Sequence, residues 1–385
     1  MNANQPNSRP DVAGCLPSPQ QELLLKAACA TGDAAASAWR EWRRQEEPEK
    51  ADAASVRLMP WIYLRREDLR LSAADVAFCE GIYRFAWMAN QRLVNASVEV
   101  ARCLREHGVD VLVLKGLSLL ADVYGDVGGR YMEDFDLMIR PEDVERAVIM
   151  LAPFGWRPQS PETFSPEMRS LRHSEELRRD DGLSCDVHWR LLRRPNEPVD
   201  EAPLWAVRRE IAFRGEPVFT LSVEHMLMHL LGHGFSWQRV PAIRWILDVH
   251  LLLKRYTPDW QAFASEVHRR GIVLPVAEAL AVYDKILPGE IPRSLLETLV
   301  QLPATRRERI AYEQLTRPYE KASWKVIWEV YRADLKRARL LGVVQPGLKG
   351  TMQHLSLYWR AESIAQLPWI FARKLIAKIG NWRVS

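Results

Sequence analysis

Residues 109–140, VDVLVLKGLSLLADVYGDVGGRYMEDFDLMIR, decide the fold of this chain. They predict a buried strand, a turn at Lys115 and Gly116, a short helix over residues 117–124, and a second strand that carries Asp134 and Asp136. Side chains alternate along a strand, so the two carboxylates project from one face, roughly 6.6 Å apart. Paired carboxylates repel each other and are costly to desolvate. A divalent metal removes both penalties, and Mg²⁺ accepts oxygen ligands on a rigid element.

A later strand, LSCDVHWRL over residues 183–191, carries a further carboxylate. Its alternation points Cys185 and Val187 one way, while Asp186 and His188 lie on either side of Val187. Before this strand, the pattern predicts a poorly defined helix over residues 166–178. A longer helix is predicted from Ser72 to about residue 107, with a break within it.

Length and composition predict a globular chain of two or three packed units. The chain has 385 residues, of which 48% are hydrophobic, and its net charge is only +4. Five scattered cysteines without a CxxC pair suggest neither a disulfide framework nor a zinc ribbon. We find no pattern of a signal peptide or of a membrane span, so the expected location is the cytoplasm.

The predicted fold class is α+β, with a small core of mixed sheet and helices flanked by helices at both ends. The predicted divisions are a disordered N-terminus (1–18), a helical segment (19–108), the α/β core (109–220), a helical domain (221–290) and a basic, Trp-rich helical region (291–385). From Lys321 onward the chain carries 12 Lys and Arg against 3 Asp and Glu, so a basic tail follows a mildly acidic body.

The order of these elements resembles the DNA polymerase β-like nucleotidyltransferase superfamily, and more closely a branch of uncharacterised bacterial nucleotidyltransferases. The resemblance covers roughly residues 20–285. It is carried by the following residues: Leu114-Lys115-Gly116, Tyr124, Arg130, Asp134-Phe135-Asp136-Leu137, Asp186-Val187-His188-Trp189, Leu221-Ser222 through His229 and His233, and Arg244-Trp245 through Asp248. The superfamily's usual Gly-Gly or Gly-Ser turn is here Lys115-Gly116-Leu117-Ser118, which matches the closer branch.

The resemblance implies metal-dependent transfer of a nucleoside monophosphate from a nucleoside triphosphate, ATP among the candidates, to a hydroxyl acceptor. Asp134 and Asp136 would hold two Mg²⁺ ions about 3.5–4 Å apart, and Asp186 would complete the site of the ion that activates the hydroxyl. The predicted nucleotide contacts are Lys115, Gly116, Ser118 and Arg130. The alternative for Arg130 is a pairing with Glu133 or a role in anchoring the loop.

Downstream residues supply a candidate acceptor pocket of His188, His229, His233 and Arg244. His225, His229 and His233 fall on one helical face, a spacing that can bind zinc, but no Glu follows as in the zincin motif. Histidines buried in a domain interface are the simpler interpretation. Arg244 and Asp248, at i and i+4, predict a structural salt bridge.

The basic tail contains LPWIFARKLIAKIGNW over residues 367–382. It predicts a helix that packs its aromatic side chains on the protein, and contact with a membrane surface or with RNA is the alternative.

Three functions therefore stay open from sequence. They are an enzyme whose acceptor is a small molecule or peptide, a nucleotidyltransferase directed at RNA, and a binding or regulatory protein that kept the fold without catalysis. The presence of all three carboxylates favours the enzyme.

Overall fold

The computed structural model describes residues 13–159, 169, 172–192, 199–317, 328, 331–332, 335–336, 338–339, 342–359, 361 and 363–373. A seven-stranded mixed sheet forms the centre, and its strands in space follow the order β3-β4-β5-β2-β1-β7-β6. The strands are β1 (Val111–Val113), β2 (Phe135–Ile139), β3 (Arg157–Pro158), β4 (Ser174–Arg178), β5 (Ser184–His188), β6 (Arg209–Phe213) and β7 (Glu216–Thr220). The α+β prediction is confirmed.

Helices surround this sheet. Those before and within it are α1 (Pro19–Cys29), α2 (Gly32–Gln45), α3 (Ala53–Val56), α4 (Met59–Leu64), α5 (Ala73–Glu106), α6 (Lys115–Leu119), α7 (Val144–Leu151) and α8 (Ala202–Ala206). Those after it are α9 (Val223–Gly234), α10 (Arg244–Arg255), α11 (Trp260–Arg269), α12 (Val273–Ile286), α13 (Arg293–Gln301), α14 (Arg306–Leu315) and α15 (Leu348–Trp359).

The middle of the sheet is its most buried part. All five residues of β2 are buried, since β2 lies between β1 and β5 and is covered on both faces. It runs antiparallel to β1 and parallel to β5. Long apolar runs are typical of strands that are buried on both faces. A charged residue within β2, such as Asp136, therefore needs a partner or a metal to offset its desolvation.

The long helix α5 spans 34 residues without the break that the sequence predicted. Ser72 caps it as predicted, because its side chain accepts a hydrogen bond from the backbone N–H of Asp75. Buried residues recur along its length, among them Cys79, Asn90 and Val100. Packing along its whole length explains its continuity, since tertiary contacts provide most of a helix's stability.

The helices before and after the sheet share one hydrophobic core with it. This core extends from Cys15 to Tyr312 and includes Trp39, Phe135 and Leu247. A separate small cluster of Tyr331, Leu335, Ala338 and Val344 lies in the basic tail. The predicted domain boundaries stay predictions, and the main core runs across those at residues 108 and 220.

Two local predictions need correction. Residues 174–178 form strand β4, although a helix was predicted over 166–178, because this segment pairs with β5 along its whole length. Residues 13–15 form a short 3₁₀ helix in which Cys15 is buried, so the predicted disorder does not extend to them. Residues 1–12 and the end of the predicted tail helix, 374–385, lie outside the described residues.

All five cysteines are buried free thiols. Within the part of the chain that the structure describes, no helix is both long and apolar enough to cross a membrane.

Candidate active site

Strand pairing brings two of the predicted carboxylates together. In the parallel pair of β2 and β5, Asp136 lies directly opposite Asp186, and Met138 lies opposite His188. Side chains of directly paired residues project from the same face of a sheet, and those two residues apart on one strand share that face as well. Asp136, Asp186 and His188 therefore point to one face of the sheet.

Two nitrogen groups contact the same oxygen of Asp136. The Lys115 ammonium donates a hydrogen bond to Oδ1 across 2.6 Å, and Nε2 of His188 lies 3.1 Å from that oxygen. Burial by itself would raise the pKa of Asp136, but Lys115 and His188 outweigh it and hold that pKa well below its ordinary value. Asp136 is thus a buried carboxylate that stays charged.

The backbone of Lys115 is strained. Lys115 has a φ of 40°, in the left-handed region that non-glycine residues rarely adopt. It lies at the turn between β1 and α6, and the backbone N–H of the preceding Leu114 donates a hydrogen bond to the carbonyl of Asp136. The strained turn therefore directs the lysine toward β2, and strain of this kind often lies at functional sites.

Asp134 and Asp186 carry charge that is less well compensated. Burial and the repulsion of Asp136 and Asp186 raise the pKa of Asp134 to about 6, although its side chain is exposed. Burial and the charge of Asp136 also raise the pKa of Asp186. Three carboxylates in one place, two of them with raised pKa values, form a centre of negative potential that favours a cation.

One group of side chains has the spacing of metal ligands. Ligand atoms of Asp136, Asp186 and His188 all lie within 4.8 Å of one another. It is the one such group found among the described residues, and it does not include Asp134, which precedes β2 and lies at the more exposed edge. The donor set therefore fits a divalent cation, with Asp134 available from the side that faces solvent.

Arg130 has a different partner from those predicted. Its Nε and Nη2 donate to Oδ1 and Oδ2 of Asp248 across 2.8 and 2.9 Å, and the Tyr124 hydroxyl donates to Oδ1 across 2.7 Å. All three side chains are buried. Arg130 thus anchors its loop to α10, which was the structural alternative, although through Asp248 and not Glu133.

The salt bridge predicted between Arg244 and Asp248 on α10 is not formed in the structure. Among the described residues, no ion pair joins Arg244 to Asp248, and Arg244 instead donates to the carbonyl of Tyr131 across 2.6 Å. Burial and the neighbouring Arg130 lower the pKa of Arg244 to about 10. The i, i+4 rule failed here because a bidentate contact from a distant loop satisfies the carboxylate better than a helical neighbour does.

Gly116 and Ser118 have roles in packing that the sequence did not indicate. A Cβ atom at Gly116 would lie 2.5 Å from Nη1 of Arg130 and 2.7 Å from Sδ of Met132, so these two side chains require a glycine. The Ser118 hydroxyl is buried and lies 2.7 Å from the Thr220 hydroxyl. The nucleotide contact predicted for Ser118 is therefore not supported by its position.

The histidines on α9 divide into two kinds. His225 contacts Ser222 at 2.9 Å and Glu266 at 3.3 Å, and so has a structural role. His229 is 1% exposed, and neither of its ring nitrogens has a hydrogen-bond partner among the described residues. Burial and the charge of Lys115 keep the pKa of His229 well below its ordinary value. His233 is exposed, its ring centroid is 5.9 Å from that of His229, and the charge of Lys115 lowers its pKa.

Asn90 on α5 was missed by the sequence analysis. Its amide nitrogen donates to the carbonyls of Val127 and Arg130 across 2.5 and 2.7 Å, and its amide oxygen accepts from the N–H of Met132 across 3.0 Å. A single buried side chain thus holds the glycine-rich loop that leads into Asp134. The one sequence signal was a polar residue on the buried face of a long helix.

The match of the chain to one protein family supports the resemblance. Residues 63–288, more than half of the chain, match the protein family described as uncharacterised nucleotidyltransferase. Among solved structures, the chain is similar to the crystal structure of an antigenic nucleotidyltransferase-like protein from Paracoccidioides brasiliensis, with 16% sequence identity and a TM-score of 0.35, over 55% of this chain and 94% of that chain. No curated protein matches the chain.

Proposed function

Because the chain belongs to the uncharacterised nucleotidyltransferase family, we propose that it is a metal-dependent enzyme that transfers a nucleoside monophosphate from a nucleoside triphosphate to a hydroxyl acceptor. The observation that carries the proposal is the direct pairing of Asp136 with Asp186 across β2 and β5, with Asp134 two residues before Asp136. A degenerate binding protein has no need to keep three mutually repelling carboxylates at one place.

The carboxylates are the residues that would hold the metal. Asp134 and Asp136 would hold two divalent ions, for which Mg²⁺ is the first candidate, and Asp186 would complete one of the two sites. When bound, such ions lower the pKa of the attacking hydroxyl and stabilise the leaving pyrophosphate. The raised pKa of Asp134, about 6, supports this assignment because a cation would relieve the repulsion that raises it.

Lys115 is the residue we assign to the triphosphate. Its ammonium lies 2.6 Å from Oδ1 of Asp136, so it would be available to a triphosphate bound at the carboxylates. Lysine acts on phosphates as a mobile point charge. Arg130 is held by Asp248 through Nε and Nη2, and its remaining nitrogen, Nη1, lies close to Gly116. We therefore assign Arg130 to fixing the loop, and any phosphate contact to Nη1 alone.

The acceptor would bind beside helix α9. His229 has neither ring nitrogen bonded among the described residues and His233 is exposed, and the pKa values of both are lowered by Lys115. A neutral imidazole can accept the proton of a hydroxyl or orient it. The acceptor we assign to this pair of histidines is a small molecule or a peptide hydroxyl, with an RNA end as the alternative.

The test is nucleotide binding followed by label transfer. Thermal stability is measured with ATP, GTP, CTP and UTP, each with and without Mg²⁺ or Mn²⁺. A ligand that binds only the native state at 100 times its Kd stabilises it by about 2.7 kcal/mol. We expect a metal-dependent rise with at least one nucleotide, followed by transfer of α-phosphate label from that nucleotide to an acceptor.

Matched variants separate the site from general charge effects. Asp136→Asn should abolish the metal-dependent rise. Glu133→Gln, which removes a neighbouring exposed carboxylate that pairs with Arg57 at 2.7 Å, should retain it. A folded protein that no nucleotide stabilises would overturn the proposal in favour of the binding protein without catalysis. Stabilisation without label transfer to any acceptor would do the same.

A further inference from the structure

We propose that His188 is a direct nitrogen ligand of the metal, so that the site prefers Mn²⁺ or Co²⁺ to Mg²⁺. This inference rests on the proposed function, because it concerns the same metal. It adds a nitrogen ligand to the three carboxylates, removes His188 from the acceptor pocket, and replaces Mg²⁺ as the first candidate for the metal.

The position of His188 on β5 is the first argument. His188 and Asp186 are two residues apart on one strand and therefore share a face, and Asp136 is paired with Asp186 on the neighbouring strand. These are the three residues whose ligand atoms lie within 4.8 Å of one another. They belong to two adjacent strands of a buried sheet, which hold ligands more precisely than loops do.

The separation of the ligand atoms is the second argument. Nε2 of His188 lies 3.1 Å from Oδ1 of Asp136. Two neighbouring ligands of an octahedral ion, each about 2.1 Å from it, lie about 3 Å apart. The nitrogen and the oxygen are thus separated by the length of one edge of a coordination octahedron.

The surroundings of the imidazole are the third argument. His188 is 2% exposed, and its ring packs edge to face against His173 with a centroid separation of 5.4 Å. Burial fixes the ring with Nε2 toward the carboxylates, so little conformational entropy is lost when a metal binds. Imidazole nitrogen suits transition metals, whereas Mg²⁺ prefers oxygen and water.

Lys115 occupies the oxygen of Asp136 that a metal would bind. Its ammonium contacts the same Oδ1 across 2.6 Å, and a cation at that oxygen would repel it. The lysine stem has several rotatable bonds, so the ammonium can leave Asp136 for a phosphate. Asp136 and His188 would hold the metal, and Lys115, displaced from Asp136, would be free to bind the nucleotide.

The competing interpretation is that His188 only orients Asp136 through a hydrogen bond. In that case, loss of the imidazole would weaken the binding of every divalent metal by a similar factor. A direct ligand predicts a selective loss, because a site of carboxylates and water still serves Mg²⁺.

The experiment is pulsed electron paramagnetic resonance of Mn²⁺ bound to the full-length protein. We expect a hyperfine coupling to imidazole nitrogen in the wild type, which disappears in His188→Gln and persists in His268→Gln, a histidine on the exposed face of α11. By calorimetry, His188→Gln should weaken Mn²⁺ and Co²⁺ about tenfold or more and Mg²⁺ less than about threefold. Circular dichroism verifies folding, and the wild-type spectrum alone tests the inference if His188→Gln does not fold.

The outcomes separate this inference from the proposed function. Bound Mn²⁺ that depends on Asp136 but shows no nitrogen coupling in the wild type would overturn the role of His188 and leave the enzyme proposal intact. Equal weakening of all three metals in His188→Gln would overturn it as well. Mn²⁺ binding that does not respond to Asp136→Asn, or no binding at all, would overturn both.

Discussion

Asp134→Asn and Asp136→Asn should change the stability of the protein in opposite directions. Asp136 is 6% exposed and has two bonds that its charge strengthens, from Lys115 and His188. Such bonds contribute about 1.5–3 kcal/mol each, and removal of one partner of a buried ion pair costs about 3–5 kcal/mol. We therefore expect Asp136→Asn to lower the free energy of unfolding by about 3–5 kcal/mol.

Asp134→Asn should instead stabilise the protein at pH 7.5 in the absence of metal. Burial and its acidic neighbours raise the pKa of Asp134 to about 6, so the native state binds this proton more tightly than the unfolded state does. The contribution of Asp134 to the stability of the wild type therefore falls as the pH rises from about 4 to above 6. Because the side chain is open to solvent, screening keeps the gain below the loss at Asp136.

The assay is urea unfolding followed by tryptophan fluorescence, in a chelator, at pH values from 4 to 8. The advantage of Asp134→Asn should fade toward pH 4, where Asp134 is protonated in the native state and begins to be protonated in the unfolded state. The contribution of Asp136 runs the other way, because its folded pKa is lowered: it is present above the ordinary carboxyl pKa and lost as the pH falls below it. Destabilisation by Asp134→Asn at pH 7.5, or a gain that does not depend on pH, would refute the electrostatic account of the site.

Three further predictions concern the supports of the site. Asp248→Asn leaves the buried guanidinium of Arg130 uncompensated and should lower the free energy of unfolding in urea by about 3–5 kcal/mol. Tyr124→Phe removes one hydrogen bond to Asp248 and should lower it by about 1.5–3 kcal/mol. Equal losses would contradict this ranking. Gly116→Ala should destabilise the protein because its Cβ would lie 2.5 Å from a guanidinium nitrogen, while Gly81→Ala, with nothing within 4 Å on helix α5, should add about 0.5–1 kcal/mol. Lys115→Met should weaken triphosphate binding in calorimetry about 10- to 100-fold, the loss of one charge-assisted contact, and an unchanged Kd would exclude the lysine from the phosphates.

The shared face of Asp134 and Asp136 could be predicted from sequence because it follows from a local rule. The alternation of residues 134–139 determines which side chains share a face, and the short apolar strands around them pair in few ways. These rules led to the α+β class, whereas the nearness of Asp186, which β5 places opposite Asp136, was implied only by the family resemblance. The resemblance also implied Lys115, the first residue of α6, as a neighbour of this centre.

Other features depend on contacts that sequence spacing does not encode. Residues 174–178, SEELR, have helical propensity, but pairing with β5 makes them a strand. Asp248 is 118 residues from Arg130, so a local rule assigned it to Arg244. The position of Ser118 in the turn suggested a phosphate contact, but its hydroxyl forms a hydrogen bond with the hydroxyl of Thr220.

Through the three hydrogen bonds of Asn90, the length of helix α5 sets the position of the loop that precedes Asp134. Earlier in the same helix, Cys79 contacts Met59 at 3.9 Å between sulfur atoms, and the rings of Tyr83 and Tyr63 lie 4.8 Å apart, so its first half is fixed to α4. Each residue turns an α-helix by about 100°. Deleting a single residue between Tyr83 and Asn90 would turn the amide away from the loop without altering one side chain of the site, so the number of residues in this stretch is constrained as strictly as their identity.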